Sequence, residues 1–302
     1  MEWKVCGCSS RVKGYKLKIL VTGASGFIGN HLIKELLKNT NHEIIATSRD
    51  IEKAKKYDWF SKVKHISYDL NSKEELNLYD YFYKPDKVIH LAWDGLPNYD
   101  DLIHIEKNLF NNYQFIKNLV ANGLKDITIT GTCFEYGMVN GCLSEDIQTN
   151  PSNSYAIAKD SLRKFIEELK KQYKFNYKWI RLFYMYGEGQ GEKSLIAFLD
   201  KAIQNGEKEF NMSGGDQLRD YLPIQKVVEY ISKIAIQEKI EGVINCCSGN
   251  PISIRNLVEN YLNEIKYEMK LNLGYYPYPN YEPMAFWGYN TKLQEAINNE
   301  KM

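Results

Sequence analysis

Short apolar runs alternate with longer amphipathic stretches from Leu17 onward, and this alternation is the main structural signal of the chain. In Phe27–Lys38, apolar residues recur at three- and four-residue spacing, which predicts a helix with one buried face. Strand and helix signals in alternation, joined by short links, indicate right-handed β-α-β units and a parallel sheet covered on both faces. The predicted strands are Leu17–Val21, Glu43–Thr47, Val63–Tyr68, Lys87–Ala92, Asp126–Thr130 and Tyr177–Phe183.

The rhythm changes after residue 185. Gly187–Gly191 and Ser213–Gln217 have the composition of loops, and the proline- and tyrosine-rich segment Tyr275–Pro283 excludes a central strand or a helix. We therefore predict an α/β fold with a doubly wound parallel sheet and a smaller C-terminal portion. The expected division is a loose tail at 1–16, the main domain at 17–185, and a portion at 186–302 from which some segments return to the sheet.

Composition and charge exclude several classes of protein. The chain of 302 residues has 39 Lys and Arg against 38 Asp and Glu, a formal net charge of +1. Without a global field to attract a polyanion, we expect no nucleic acid and no membrane as partner. The six cysteines lack zinc-ligand spacing, so no metal is expected. No run approaches a membrane span and residues 1–16 lack a signal-peptide core, so we expect a cytoplasmic protein with reduced thiols.

A glycine motif follows the first predicted strand, with Gly23, Gly26 and Gly29 in G-x-x-G-x-x-G spacing at the start of a helix. The first glycine permits a tight turn, the second lets the backbone approach a pyrophosphate, and the third lets the helix pack on the strand. Free N–H groups at the helix N-terminus favour the phosphates. The motif therefore predicts a Rossmann-type dinucleotide-binding domain at 17–185 and leaves 186–302 mainly for the substrate.

The end of the second strand discriminates NAD from NADP. An acidic residue there binds the ribose hydroxyls, whereas an arginine accommodates the 2′-phosphate. Ser48 and Arg49 precede Asp50. Because a hydroxyl and a guanidinium suit a phosphate, we expect NADP(H) to be favoured over NAD(H). The alternative is an exposed Arg49 beside Asp50 acting as a helix N-cap.

Tyr155 and Lys159 lie four residues apart in a segment of helical rhythm, which places both side chains on one helix face. A lysine cation beside a phenol favours the phenolate. We therefore expect the pKa of Tyr155 to be lowered toward neutrality, as a general acid or base requires. Because the chain has 23 tyrosines, such a pair is close to chance by itself, and its significance depends on the motifs that precede it.

Those motifs carry a resemblance to a known family, the extended short-chain dehydrogenase/reductases, which mostly act on nucleotide-diphosphate sugars. The resemblance covers residues 17–297, with the motifs in the family's order and spacing. The matching segments are Gly23–Gly29, Asp69–Leu70, His90–Ala92, Thr132–Gly137, Tyr155–Lys159, Arg181–Gly187 and Arg219–Ile224.

The resemblance implies a role for each matched residue. Thr132 would hydrogen-bond the substrate oxygen, Tyr155 would exchange a proton with that oxygen, and Lys159 would hold the nicotinamide ribose and keep Tyr155 acidic. Arg219 would pair with the diphosphate of the sugar nucleotide. The alternatives are a Thr132 hydroxyl satisfied by the backbone and an Arg219 in an exposed ion pair. The expected cofactor-binding residues are Gly23, Ser25, Gly26, Phe27, Ile28, Gly29, Ser48, Arg49, Asp69, Leu70, Leu91, Ala92, Tyr155 and Lys159. The expected substrate-binding residues are Trp93, Thr132, Cys133, Phe134 and Arg219.

Departures from the family pattern narrow the reaction. In the family's sugar-nucleotide 4,6-dehydratases an Asp-Glu pair follows the catalytic threonine and eliminates water, whereas Cys133 and Phe134 stand there in this chain. A dehydratase is therefore not expected, and hydride transfer at one sugar carbon remains. Ala92–Tyr99 resembles segments of reductases of 4-keto-6-deoxy sugar nucleotides. Within it, Trp93 and Tyr99 are either stacking surfaces of a sugar pocket or packing residues in a long βα loop.

We therefore expect an NAD(P)H-dependent reductase of the keto group, at C4, of a nucleotide-diphosphate keto sugar in surface-polysaccharide synthesis. An NAD-dependent sugar-nucleotide 4-epimerase is the alternative, and a non-catalytic NADP-sensing regulator is a more remote one. In the resembled family, the helices matching Leu102–Val120 and Tyr155–Lys170 pair across a two-fold axis as a four-helix bundle. This implies a homodimer.

Overall fold

A seven-stranded parallel sheet forms the centre of the protein in the computed structural model, which describes residues 16–192, 194–278 and 282–298. The predicted tail, apart from Lys16, and residues 279–281 of the Tyr275–Pro283 segment lie outside the described residues. The strands are β1 (Lys18–Thr22), β2 (Glu43–Ser48), β3 (Lys64–Ser67), β4 (Lys87–His90), β5 (Asp126–Thr132), β6 (Gly141–Leu143), β7 (Asn176–Leu182), β8 (Tyr184–Tyr186), β9 (Glu209–Asn211), β10 (Leu218–Arg219), β11 (Tyr221–Pro223), β12 (Gly242–Cys246), β13 (Ile252–Ser253), β14 (Lys270–Asn272) and β15 (Phe286–Gly288). The helices are α1 (Phe27–Asn39), α2 (Ile51–Lys55), α3 (Leu78–Tyr81), α4 (Leu109–Ala121), α5 (Ser154–Gln172), α6 (Leu195–Gln204), α7 (Ile224–Ile236), α8 (Ile254–Glu264) and α9 (Thr291–Asn298).

The order of strands in the central sheet is β12-β7-β5-β4-β1-β2-β3, and every neighbouring pair is parallel. All six predicted strands are present in this sheet, with ends that differ by no more than two residues. The seventh, β12, comes from the C-terminal third of the chain. From β1 the chain winds toward β3 on one side and toward β12 on the other, so a crevice opens beyond the carboxyl ends of β1 and β4. The predicted doubly wound fold is confirmed.

Helices cover both faces of the sheet and bury two apolar clusters. Residues of α1, α7 and α9 pack on one face, and residues of α3, α4 and α5 pack on the other. The amphipathic spacing predicted for α1 is observed, since Leu32, Ile33 and Leu36 are fully buried. α7 contributes most to the same face, with the buried residues Val227, Val228, Ile231, Ile234 and Ala235.

The remaining strands form small two-stranded sheets beyond the carboxyl edge of the central sheet, with the pairs β6–β15, β8–β11, β9–β14 and β10–β13. Gly187–Gly191 and Ser213–Gln217 are loops, as predicted. A separate apolar cluster joins α6 to α8. Among the described residues, no helix has the length and apolar character that a membrane crossing requires, and the cysteines there are free thiols.

Candidate functional site

The glycine motif places bare backbone at the crevice. Gly23 has φ of +68°, and a Cβ there would lie 2.9 Å from the Ala92 nitrogen. A Cβ on Gly29 would lie 2.2 Å from the Gly23 carbonyl oxygen, so α1 packs on the end of β1 more closely than any side chain would allow. Gly26 is the N-cap of α1 and leaves the N–H groups of the first turn without a side-chain cap. A helix N-terminus is therefore open toward the crevice.

A cavity of about 390 Å³ lies in front of this loop. Because glycine backbone, polar side chains and a helix N-terminus converge on it, the cavity fits the adenosine and pyrophosphate of a dinucleotide. Phe27 and Ile28 instead pack against the apolar core, and Gly29 lies against β1, so these three predicted residues do not line the cavity. The predicted cofactor residues that line it are Gly23, Ser25, Gly26, Ser48, Arg49, Asp69, Leu70, Leu91 and Ala92.

Buried hydrogen bonds hold the end of β4 against this cavity. Thr22 Oγ1 accepts from the main-chain nitrogens of Leu91 and Ala92 at 3.1 and 3.2 Å, and it lies 2.8 Å from Nδ1 of His90. The other ring nitrogen of His90 is 2.7 Å from the Asn112 side-chain oxygen and therefore carries the proton. Burial lowers the pKa of His90 to about 3, so the ring stays neutral and the network keeps one arrangement.

A π-helical turn from His104 to Asn108 supports the loop that follows β4. Trp93 Nε1 donates to His104 Nδ1 at 3.0 Å, and the opposite ring nitrogen of His104 donates to the Asn98 carbonyl oxygen at 2.9 Å. Asn108 Nδ2 donates to the Asp94 carbonyl oxygen at 2.9 Å. π turns are rare and frequently mark functional sites. The helix predicted over Leu102–Val120 spans this segment, but it is α-helical only from Leu109, and the sequence reasoning did not identify the roles of His104 and Asn108.

The three predicted catalytic residues come together at the carboxyl edge of the sheet. Thr132 ends β5, while Tyr155 and Lys159 lie one turn apart in α5, and all three are buried. Lys159 Nζ donates to the Thr130 carbonyl oxygen at 2.8 Å and lies 3.9 Å from the centre of the Trp93 ring. The Trp93 ring meets the Tyr155 ring edge to face at 6.0 Å. Trp93 therefore packs directly on the predicted catalytic pair.

The electrostatics of this pair differ from the expectation. Burial raises the pKa of Tyr155, and a hydrogen bond involving the Thr132 side chain opposes this effect only in part. Burial also lowers the pKa of Lys159 to about 7, against the opposing attraction of Glu135. The predicted lowering of the Tyr155 pKa by Lys159 is therefore wrong, because desolvation of the buried phenol is the largest influence on its pKa and disfavours the phenolate. Tyr155 is a neutral phenol, the protonated form that a proton donor requires.

A fully buried carboxylate supports the turn that carries Thr132. Glu135 Oε1 accepts from the Thr132 main-chain nitrogen and from Trp179 Nε1, each at 2.9 Å. Its Oε2 accepts from Arg181 Nε at 2.8 Å, and Arg163 Nε lies 4.0 Å away. Thr132 Oγ1 in turn accepts from the Phe134 nitrogen at 3.3 Å, which completes a capping box. The Thr132 hydroxyl is thus engaged by the backbone as an acceptor, which was the alternative to a catalytic role. Its proton remains able to donate a hydrogen bond, so the alternative is observed only in part.

Two of the predicted substrate residues, Cys133 and Phe134, lie in or beside a cluster of aromatic rings next to Tyr155. Phe134 lies between the rings of Tyr99 and Tyr184, at 5.1 and 6.2 Å. Tyr99 also lies 5.6 Å from the Tyr155 ring. Cys133 is buried, and burial raises the pKa of its thiol, so it contributes shape rather than charge. Tyr99 therefore packs directly on Tyr155, whereas Trp93 contacts Tyr155 and also lines the cavity in front of the glycine loop.

Arg219 lies in a buried ion pair that the sequence did not reveal. Its Nη2 is 2.8 Å from Glu282 Oε2, and its Nη1 donates to the Leu218 carbonyl oxygen at 2.9 Å. Tyr184 donates to the other oxygen of Glu282 at 2.6 Å. Arg219 is only 1% exposed, so the alternative of an exposed pair does not hold. Its role toward a diphosphate stays a prediction, and Glu282 is the group that a phosphate would replace.

Arg49 is also paired, with Asp94 across the mouth of the cofactor cavity. Its Nη1 and Nη2 each lie 2.8 Å from a different carboxylate oxygen of Asp94. Asp50 caps α2 by accepting from the Lys53 nitrogen at 2.9 Å. An exposed Arg49 beside a capping Asp50 was the alternative to a phosphate site, and the N-cap is observed. Within the described ranges, no group of His, Cys, Asp and Glu side chains could hold a metal ion.

Comparison with known proteins identifies the relatives of this chain. A model of the NAD dependent epimerase/dehydratase family matches residues 19–247. The dTDP-6-deoxy-L-talose 4-dehydrogenase (NAD(+)) of Aggregatibacter actinomycetemcomitans is 30% identical over 273 residues, which cover 90% of this chain and 99% of that protein. The dTDP-4-dehydro-6-deoxyglucose reductase of Escherichia coli is 27% identical over 277 residues, covering 85% of this chain and 84% of the relative.

Among solved structures, the chain resembles UDP-glucuronic acid 4-epimerase from Bacillus cereus in complex with UDP-glucuronic acid and NAD. The TM-score is 0.79 at 23% identity, and the match covers 93% of each chain. At this identity the likeness establishes the fold alone. That fold is the one predicted from the motifs, a Rossmann-type sheet with a smaller C-terminal portion.

Proposed function

The chain belongs to the NAD-dependent epimerase/dehydratase family, and from that premise we propose that it reduces the C4 keto group of a nucleotide-diphosphate 4-keto-6-deoxy sugar. The observation that carries the proposal is the site itself: Thr132, Tyr155 and Lys159 converge, while Cys133 and Phe134 offer no acid–base pair for eliminating water. Oxidation at C4 and reduction at C4 are two directions of one hydride transfer. The names of the two relatives above therefore describe the same chemistry.

The residues divide the work between oxygen and cofactor. When bound, the reduced nicotinamide supplies the hydride. The Thr132 hydroxyl donates a hydrogen bond to the ketone oxygen, and Tyr155, kept protonated by burial, delivers its phenolic proton to the same oxygen as charge develops there. Lys159, directed by the Thr130 carbonyl and covered by Trp93, holds the nicotinamide ribose.

The relatives indicate which substrate and which cofactor to test first. Both relatives are dTDP-sugar enzymes by name, so a dTDP-linked sugar is the first substrate to test. For the cofactor, the family is NAD-dependent and the Bacillus cereus structure contains NAD. The preference for NADP(H) predicted from Ser48 and Arg49 gains no support from these comparisons. We therefore propose NAD(H) as the first cofactor to test.

The homodimer belongs to the same proposal. Large apolar side chains are exposed on α4, on α5 and in the segment that precedes α4. Their location suits an isologous interface between these helices and their copies in a second subunit. Phe110 is 52% exposed and Phe165 is 37% exposed, and they belong to α4 and α5, which cover the same face of the sheet. These exposed residues are Leu102, Phe110, Ile157 and Phe165.

The test mixes the protein with NADH or NADPH and a panel of 4-keto-6-deoxy sugar nucleotides, and follows loss of the reduced-nicotinamide absorbance. We expect depletion with at least one substrate, and loss of about 100-fold or more in kcat for Tyr155→Phe. Tyr230→Phe makes the same chemical change in α7, on the opposite face of the sheet, and serves as the control. No depletion with any substrate, together with NAD⁺ that co-purifies, would favour the 4-epimerase instead.

A further inference from the structure

The Arg49–Asp94 ion pair bridges the cofactor cavity between two loops that are far apart in sequence. Arg49 directly follows β2, and Asp94 stands in the loop after β4; both line the cavity. Two parallel contacts of 2.8 Å make the pair bidentate, the strongest geometry for a guanidinium and a carboxylate. Arg49, the cation that directly follows β2, is therefore already engaged by an anion.

Asp94 is held in place by its surroundings. Its carbonyl oxygen accepts from the side chain of Asn108, which is 3% exposed and belongs to the π-helical turn. Its neighbour Trp93 is tied to His104 by the indole N–H. The main chain that carries the Asp94 carboxylate is therefore fixed at the cavity mouth by hydrogen bonds to buried side chains. Arg49, with 55% of its side chain exposed, is the movable partner.

The two nicotinamide cofactors make different demands at this point. In Rossmann-type sites the end of β2 receives the adenosine ribose, which carries a 2′-hydroxyl in NAD and a dianionic 2′-phosphate in NADP. A ribose hydroxyl can donate to a carboxylate, so Asp94 is compatible with NAD. A phosphate would have to draw Arg49 away and would leave the Asp94 carboxylate unpaired beside a second anion.

We propose that Asp94 is the residue that sets the cofactor preference, by holding Arg49 in an ion pair that denies the guanidinium to a 2′-phosphate. This assigns NAD(H) rather than NADP(H) to the chain and corrects the interpretation of Arg49 made from its neighbours in sequence. The inference rests on the proposed cofactor site, but it needs neither the sugar nor turnover.

The test is isothermal titration calorimetry of the intact protein with 5′-AMP and with adenosine 2′,5′-bisphosphate, which differ only in the 2′-phosphate. The wild type is expected to bind 5′-AMP at least as tightly as the bisphosphate. Asp94→Asn keeps the size of the side chain and releases Arg49, so affinity for the bisphosphate should rise by about tenfold or more. Affinity for 5′-AMP should change by less than about threefold.

Two further variants separate the ion pair from general charge. Asp50→Asn removes the same charge from the cavity lining, but the Asp50 carboxylate accepts from the Lys53 main-chain nitrogen and does not bind Arg49. The ratio of the affinities for the two ligands should therefore stay near the wild-type value. Adding Arg49→Ala to Asp94→Asn should cancel the gain. The proposal is overturned if the wild type prefers the bisphosphate, if Asp94→Asn strengthens both ligands alike, or if Asp50→Asn reproduces the shift. If neither ligand binds the wild type, both this proposal and the proposed cofactor site are refuted. If only the reductase assay fails, the proposed reaction is refuted and this binding test still stands.

Discussion

Replacing Glu135 by glutamine is expected to destabilise the protein strongly while preserving the shape of the side chain. Glutamine retains one oxygen, which can still accept from Thr132 or Trp179. Its amide group, however, presents donors to the Arg181 guanidinium that the carboxylate now neutralises. Arg181 is 2% exposed and its Nη1 has no hydrogen-bond partner among the described residues, so the uncompensated charge has no route to water.

The magnitude follows from this burial. Removing one partner of a buried ion pair costs about 3–5 kcal/mol, because the other charge remains desolvated. Since Arg163, the other cation near Glu135, also has Asp160 and Glu167 as partners, we expect the lower end, about 3 kcal/mol. For a domain of this size, that corresponds to a loss of roughly 6–12 °C in Tm.

The assay compares urea and thermal unfolding, followed by far-ultraviolet circular dichroism, for wild type, Glu135→Gln and Glu229→Gln. Glu229 pairs with Lys226 and Lys233 at 2.8 and 2.9 Å on the solvent side of α7, so its loss should cost less than about 1 kcal/mol. The reasoning is refuted if the two variants lose similar stability, or if Glu135→Gln stays within about 1 kcal/mol of the wild type at an unchanged m-value.

Three shorter predictions concern the active site and the assembly. Burial lowers the pKa of Lys159 from 10.5 in the unfolded chain to about 7 in the folded protein. Between these two pH values the unfolded chain binds more protons than the folded protein. The free energy of unfolding therefore increases as the pH rises from about 7 to about 10. Urea titrations at about pH 7 and about pH 10 should show wild type gaining on the order of 3 kcal/mol relative to Lys159→Met; an unchanged difference would contradict the burial argument. Thr132→Val should lower kcat about 100-fold, whereas Thr132→Ser should retain most activity in the same absorbance assay. Phe110→Glu should halve the mass measured by light scattering at micromolar concentration, and a wild type that is already monomeric would refute the dimer.

The hydrophobic pattern was sufficient to predict the strands of the central sheet wherever a strand is an apolar run between turn residues. It missed β12, whose five residues become a buried edge strand only by pairing with β7 from another part of the chain. The convergence of Thr132, Tyr155 and Lys159 was predictable because these residues stand in motifs of fixed spacing. Their environment was not predictable, because the spacing of residues in a motif does not indicate how deeply they are buried. The predicted direction of the Tyr155 pKa shift was therefore wrong.

Ion-pair partners were the other limit of sequence reasoning. Arg49 and Arg219 were interpreted from their neighbours in sequence, yet Asp94 and Glu282 bind them from segments that are distant along the chain. Such pairings depend on how the loops after β4 and before β15 come to rest on the sheet. An arginine at a predicted anion site therefore indicates a phosphate only after its own carboxylate partners are known.

Helix α7 has a consequence for how the chain is made. It covers the face of the sheet that α1 also covers, and Ile231 and Ile234 complete that cluster together with Leu293 of α9. A nascent chain that ends at residue 185 would have formed β1 and α1 with one flank still uncovered. The ribosome must therefore release a further stretch of more than a hundred residues before this face closes. During that interval the apolar side chains of this face remain exposed, a state that favours aggregation of incomplete chains.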